Sequence, residues 1–242
     1  MEALKIFLGL TPLGYAVFLA GLAISGAALL YLRAPPQVTP PSPPSTPVPV
    51  PGPVPVTVVV NIENWQRSAS PVRIVDSAGR HAEIEAIVLS NDFNWSLESH
   101  SKVERHGDEA SVVKHLLTPG ISNVIAGYAE VVAVGAASSE GAEVNPAAED
   151  DRASRRADQL QLWIKEYVPS SKALYSLSLG HFRPGMPSDG DFSAQRRIVI
   201  VGVVRSDPGF ELSGALYKDL GKVPGFPFDF QNYSEFKLVR RR

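Results

Sequence analysis

The side chains best placed to do chemistry are arginines and acids that fall close together in the chain. Residues 149–157 read Glu149-Asp150-Asp151-Arg152-Ala153-Ser154-Arg155-Arg156-Ala157, and a second basic pair, Arg196-Arg197, follows Gln195 ahead of an apolar run. The plainer reading is that Arg152, Arg155 and Arg156 pair with the three acids along a solvated helix face, worth about a few tenths of a kcal/mol per pair. Likewise, Arg196 and Arg197 can simply finish a strand edge. Covalent and metal chemistry find no pattern to stand on. Ser138 and Ser139 lie between Gly135 and Gly141, but no Gly-x-Ser-x-Gly elbow can be written there. His100, His106 and His115 lack the i, i+4 spacing of a helical metal pair. Cysteine is absent, which removes disulfides, thiolate ligands and a thiol nucleophile. No phosphate loop or dinucleotide fingerprint occurs, and no pair of carboxylates is singled out for glycan hydrolysis. The chain reads as non-enzymatic, with no catalytic residue, no metal and no cofactor.

The elements that must position these residues can be read around them. Residues 128–135 are nearly all apolar on both faces, as expected of a central strand. Asn145 as cap and Pro146 at the first helical position start a helix. Its first two turns carry Glu149, Asp150 and Asp151, favourable at the positive end of the dipole. Ala153, Ala157, Leu160, Ile164 and Tyr167 recur at 3–4 spacing as its buried stripe, with Trp163 beside it, and this places Arg152, Arg155 and Arg156 off that stripe. Residues 173–179 and 197–204 read as the last core strands, joined by a Gly/Pro/Asp loop over 181–191.

Upstream, residues 56–62 form a β-branched strand, and 72–75 with 82–89 form a hairpin about a turn at 76–79. Residues 91–107 read as loop with short structure. Asp108 caps a helix running to about Leu117, which Thr118-Pro119-Gly120 stops. Residues 206–242 are rich in Gly, Pro and Phe; they are expected to cover the open face of the domain, with docking of a partner protein as the alternative. The pattern predicts an α/β sandwich, a mixed sheet with helices on one face.

Two segments precede this domain. Residues 6–32 carry no charge, ~40 Å of helix at ~1.5 Å per residue, enough for one span of a bilayer. A cleaved signal peptide is the rival reading, but the run is about twice the length of its apolar core and ends in the bulky Leu29-Leu30-Tyr31-Leu32, which favours an uncleaved anchor. Of the 22 residues 35–56, 11 are proline and none is charged, which describes a polyproline II spacer reaching up to ~70 Å. The division is thus 1–34 membrane anchor, 35–56 linker, 57–127 first part of the folded domain, 128–205 its core and 206–242 tail. A formal charge of -2 gives no pull towards nucleic acid.

The order of residues 128–205 resembles the OmpA-like (MotB-like) peptidoglycan-binding domain. In that family the strand before the helix ends in a Gly-His-Thr-Asp-like turn. The helix carries Asn-x-x-Leu-Ser-x-x-Arg-Ala, and an Asn-Arg-Arg-like motif precedes the final strand. Arg156-Ala157 matches the helix Arg-Ala, and Gln195-Arg196-Arg197 matches the last motif. Ser138 stands where the family has its aspartate, Glu149 at the helix Asn, and Arg152-Ala153 at the Leu-Ser pair. The resemblance implies a non-catalytic domain whose Ser138, Arg156, Arg196 and Arg197 meet peptidoglycan. In the family the acid takes the amine of diaminopimelate and the helix arginine its carboxylate. Loss of that charge is worth about ten- to a hundredfold in affinity unless Glu140, Glu149, Asp150 or Asp151 substitutes for it. It further implies a single-pass inner-membrane protein with its C-terminal domain in the periplasm. The same fold serving an envelope complex as a protein-interaction module is the alternative, and an envelope hydrolase the third.

Overall fold

The computed structural model describes residues 59–105, 108–110, 113–187 and 190–242. The expected membrane helix and proline spacer lie outside them; no described helix is long and apolar enough to cross a membrane. Eight strands form one sheet: β1 (Val59–Ile62), β2 (Trp65–Ser68), β3 (Val72–Val75), β4 (His81–Leu89), β8 (Glu130–Ala137), β9 (Ala173–His181), β10 (Val199–Ser206) and β11 (Lys237–Arg240). Their order is β1-β2-β4-β10-β8-β9-β11, with β3 also paired to β4. Within this sheet only β8 and β9 run parallel, because α3 (Pro146–Ile164) carries the chain back between them. The remaining pairs, including the expected β3–β4 hairpin, are antiparallel. A second sheet joins β5 (Phe93–Trp95), β6 (Val103–Arg105) and β7 (Asp108–Ala110).

Side-chain alternation divides the core in two. Val131 and Ala133 of β8 join Leu160, Trp163 and Ile164 of α3 and Ile121 and Ile125 of α2 (Pro119–Gly127). Val132, Val134 and Ala136 point the other way, towards Leu212, Ala215 and Leu216 of α4 (Leu212–Asp219) and the aromatic tail. Helices on one face was therefore the wrong expectation: α4 covers the opposite face, and the stripe Leu212, Ala215, Leu216 buries it there. The tail does cover the open face, with Phe228 and Tyr233 buried in that core.

The helix expected from Asp108 is also corrected. Residues 108–110 are strand β7, the described residues beyond it are helical over Val113–Leu116 (α1), and α2 begins at Pro119. Proline was read as a stop, but at a first helical position its missing N–H costs nothing and its fixed φ suits the helix. At Gly135 the helix backbone lies directly on the sheet: a Cβ there would sit 2.2 Å from the Ala153 carbonyl oxygen.

Candidate functional site

The start of α3 obeys the sequence signal, with Asn145 Oδ1 accepting the Ala148 N–H at 3.1 Å. Along it, Ala153, Ala157, Leu160 and Ile164 are buried as expected. Arg156, expected off the stripe, is buried too, at 1% exposure. Its guanidinium donates three bonds of 2.8 Å, Nε to Ser99 O, Nη1 to Ala136 O and Nη2 to Ser96 O. Its Cζ also lies 5.9 Å from the Trp95 ring centroid, and Trp95 stacks on Trp163 of the same helix at 5.4 Å. Burial first, then the like charges of Arg196 and Arg152, pull its pKa down to about 9, against Glu149 and Glu104. It remains a cation at neutral pH. The solvated-face reading fits Arg155, which is exposed and pairs with the exposed Asp151, whereas Arg152 pairs with the buried Glu149.

At the C-terminal end of β8 the turn sets Glu140 beside Ser138 and Arg196. Ser138, buried, donates its hydroxyl to Glu140 Oε2 at 3.1 Å. The same Glu140 oxygen lies 3.8 Å from Arg196 Nη2, and Glu104 Oε1 lies 3.4 Å from it. Arg196 Nη1 donates to the Trp95 carbonyl at 3.1 Å. Gln195 braces the turn by accepting the Ser139 N–H at 2.9 Å, and Arg197 Nη1 donates to Asn91 Oδ1 at 2.8 Å. The four residues singled out thus divide. Ser138, Arg156 and Arg196 gather in one cluster, while Arg197 holds the loop before β5. Three arginines (152, 156, 196) face three glutamates (104, 140, 149), so the cluster is balanced in charge. In this conformation its arginines are spent on the protein's own oxygens.

The sequence reading missed Glu104 and the Ser96–Ser99 turn altogether. Nothing in a run such as Ser96-Leu97-Glu98-Ser99 marks its carbonyls as acceptors for an arginine 57 residues away. It missed, too, the neighbouring pair in which His181 Nδ1 lies 2.7 Å from Asp150 Oδ1. His181 ends β9 beside Ala137, and the Ser234 hydroxyl also reaches Asp150. Burial works against the Asp150 charge, but the Ser234 and His181 hydrogen bonds outweigh it and lower its pKa. Gly180 is needed here: its φ is +72°, and a Cβ would meet Ser234 Oγ at 2.0 Å. Among the described residues no group of three or more His, Asp or Glu could hold an ion; His106 lies outside them.

No family model and no curated protein matches the chain. Among solved structures, the OmpA-like domain of FopA1 from Francisella tularensis subsp. tularensis SCHU S4 aligns over 58% of this chain and 84% of its own, at 10% identity and a TM-score of 0.31. At that score the likeness carries no argument about fold or ligand.

Proposed function

We propose that the chain is a non-catalytic, membrane-anchored bacterial envelope protein whose OmpA-like domain contacts peptidoglycan through the cluster at the end of β8. One observation carries the reading. The motif lacks its acid at Ser138, and the fold brings Glu140 back onto that hydroxyl, beside Arg196. Part of the Glu140 side chain, 30%, reaches solvent. A carboxylate there is suited to an amine, and the arginines behind it would take a carboxylate once it displaces the protein oxygens they hold here, so a zwitterionic ligand would be matched at both ends. The hydrophobic run 6–32 would hold the domain at the inner membrane, and the proline spacer 35–56 would carry it across the periplasm to the cell wall.

Burial of Arg156 favours a second reading, in which the cluster is a structural keystone and the domain a protein-interaction module of an envelope complex. Co-sedimentation of the full chain with purified sacculi separates the two. The first reading expects salt-sensitive binding without release of soluble muropeptides. No binding at low salt contradicts it, and released muropeptides would make the chain a hydrolase instead.

A further inference from the structure

We propose that the turn over residues 96–102 is an intramolecular stand-in for a carboxylate: it holds the Arg156 guanidinium shut, and a carboxylate-bearing ligand opens the site by displacing it. The source of that ligand rests on the peptidoglycan reading; the gate itself does not.

The bonds to Arg156 are made in a telling pattern. Nη1 is tied to the sheet, through Ala136 O. Nε and Nη2, the adjacent donors along one edge of the fork, go to Ser99 O and Ser96 O of a single turn, both at 2.8 Å. Two oxygens set side by side against that edge is the arrangement a carboxylate makes, with the advantage of a charge that the turn's carbonyls lack. The cation is thereby solvated by dipoles where an anion would serve it better.

The turn is also built to yield. Glu98 sits at φ 59°, the left-handed region that a residue with a Cβ enters at a cost. Leu97 beside it is 46% exposed, so the apex has little packing to hold it. What closes it is local: Ser99 Oγ accepts the Ser101 and Lys102 N–H groups at 3.2 and 3.0 Å, and Lys102 O accepts the Ser96 N–H at 3.0 Å. Displacement costs these bonds and recovers the strain at Glu98. Opening would leave the rest of the cluster, Arg196 on Trp95 O included, in place.

Two substitutions move the gate in opposite directions without touching Arg156 or its acceptors, which are backbone. Glu98→Gly removes the strain and favours the closed turn about three- to tenfold. Ser99→Ala deletes the hydroxyl acceptor and favours opening about tenfold. The full chain and both variants are titrated with sodium acetate against sodium chloride of equal ionic strength. Hydrogen exchange of the Ser96 amide, whose acceptor is the same in all three, reads the opening. Acetate should speed this exchange beyond chloride, most in Ser99→Ala and least in Glu98→Gly, with Trp95 emission shifting in step. Co-sedimentation with sacculi should rank the three in the same order, because apparent affinity scales with the open fraction. No acetate-specific response in Ser99→Ala, or measurable co-sedimentation that is equal in all three, overturns the gate. An intact acetate response with no co-sedimentation in any of them upholds the gate and removes the peptidoglycan reading alone.

Discussion

Replacing Arg156 gives a sharp test of whether this arginine is interior or surface, because different substitutions separate charge, hydrogen bonding and volume. Arg156→Ala strands the Ala136 carbonyl, at a bulge in the β8–β9 ladder, for about 1–3 kcal/mol. It also opens a void under the Trp95–Trp163 stack, and core truncations of that kind cost roughly 2–5 kcal/mol. Ser96 O keeps the Ser99 N–H as a partner and adds little. Relief of a desolvated cation returns part of this, leaving a net loss of about 3–5 kcal/mol. Arg156→Met keeps most of the volume and drops the charge, so what remains is the lost partner of the buried Ala136 carbonyl and of the part-buried Ser99 carbonyl, about 1–3 kcal/mol. Arg156→Lys keeps the buried charge but offers one ammonium to three carbonyls that diverge around a planar fork, so it should be worse than Met. Urea unfolding, monitored by tryptophan fluorescence, ranks the three. An interior Arg156 is refuted if all three variants fall within about 0.5 kcal/mol of the parent, as substitutions on a solvated face do.

Three further outcomes are expected from other parts of the fold. Gly135→Val places side-chain atoms inside the contact with Ala153 O and Ala157 N, and should cost at least about 3 kcal/mol in urea unfolding; a near-neutral result would mean that α3 does not lie on β8 as described. Asp76 is held down to about 2: burial opposes its charge, but the Glu211 and Arg80 N–H groups, the Arg80 guanidinium and the Ala78 N–H outweigh that. A carboxyl depressed on folding stabilises the protein above its unfolded value near 4 and loses that contribution as pH falls towards 2. Asp76→Asn should therefore flatten the melting temperature between pH 4 and pH 2, and an unchanged slope contradicts the assignment. Gly180→Ala forces the Ser234 hydroxyl off Asp150, so the carboxyl of Asp150, observed by NMR, should titrate at higher pH than in the parent; no movement would mean the hydroxyl is not what lowers it.

Much of this fold was legible where one physical signal spoke alone. The cap at Asn145, the proline after it and the 3–4 stripe fixed α3. The doubly apolar run 131–134 placed β8 in the sheet's interior, between β10 and β9. Pro119 was misread because a proline that stops one helix and a proline that starts another look alike in sequence, and only the residues after it tell them apart. α4 was lost in a segment whose Gly, Pro and Phe content hid the spacing of Leu212, Ala215 and Leu216. The site was half legible. The family resemblance named Ser138, Arg156 and Arg196, and the fold sets them in one neighbourhood, but a side chain's charge says nothing of backbone carbonyls arriving from the far side. Periodicity put Arg156 outside the stripe by one position, and the β5–β6 turn buried it from above.

The direct measurement of the central claim is the affinity of the full chain for sacculi before and after Glu140→Gln. The substitution keeps the shape and the Ser138 contact, removes one partly exposed charge, and strands no buried carbonyl. If Glu140 supplies the acid that the turn at Ser138 lacks, binding should weaken about ten- to a hundredfold at unchanged urea stability. Unchanged binding by a stable Glu140→Gln protein would contradict that role for Glu140.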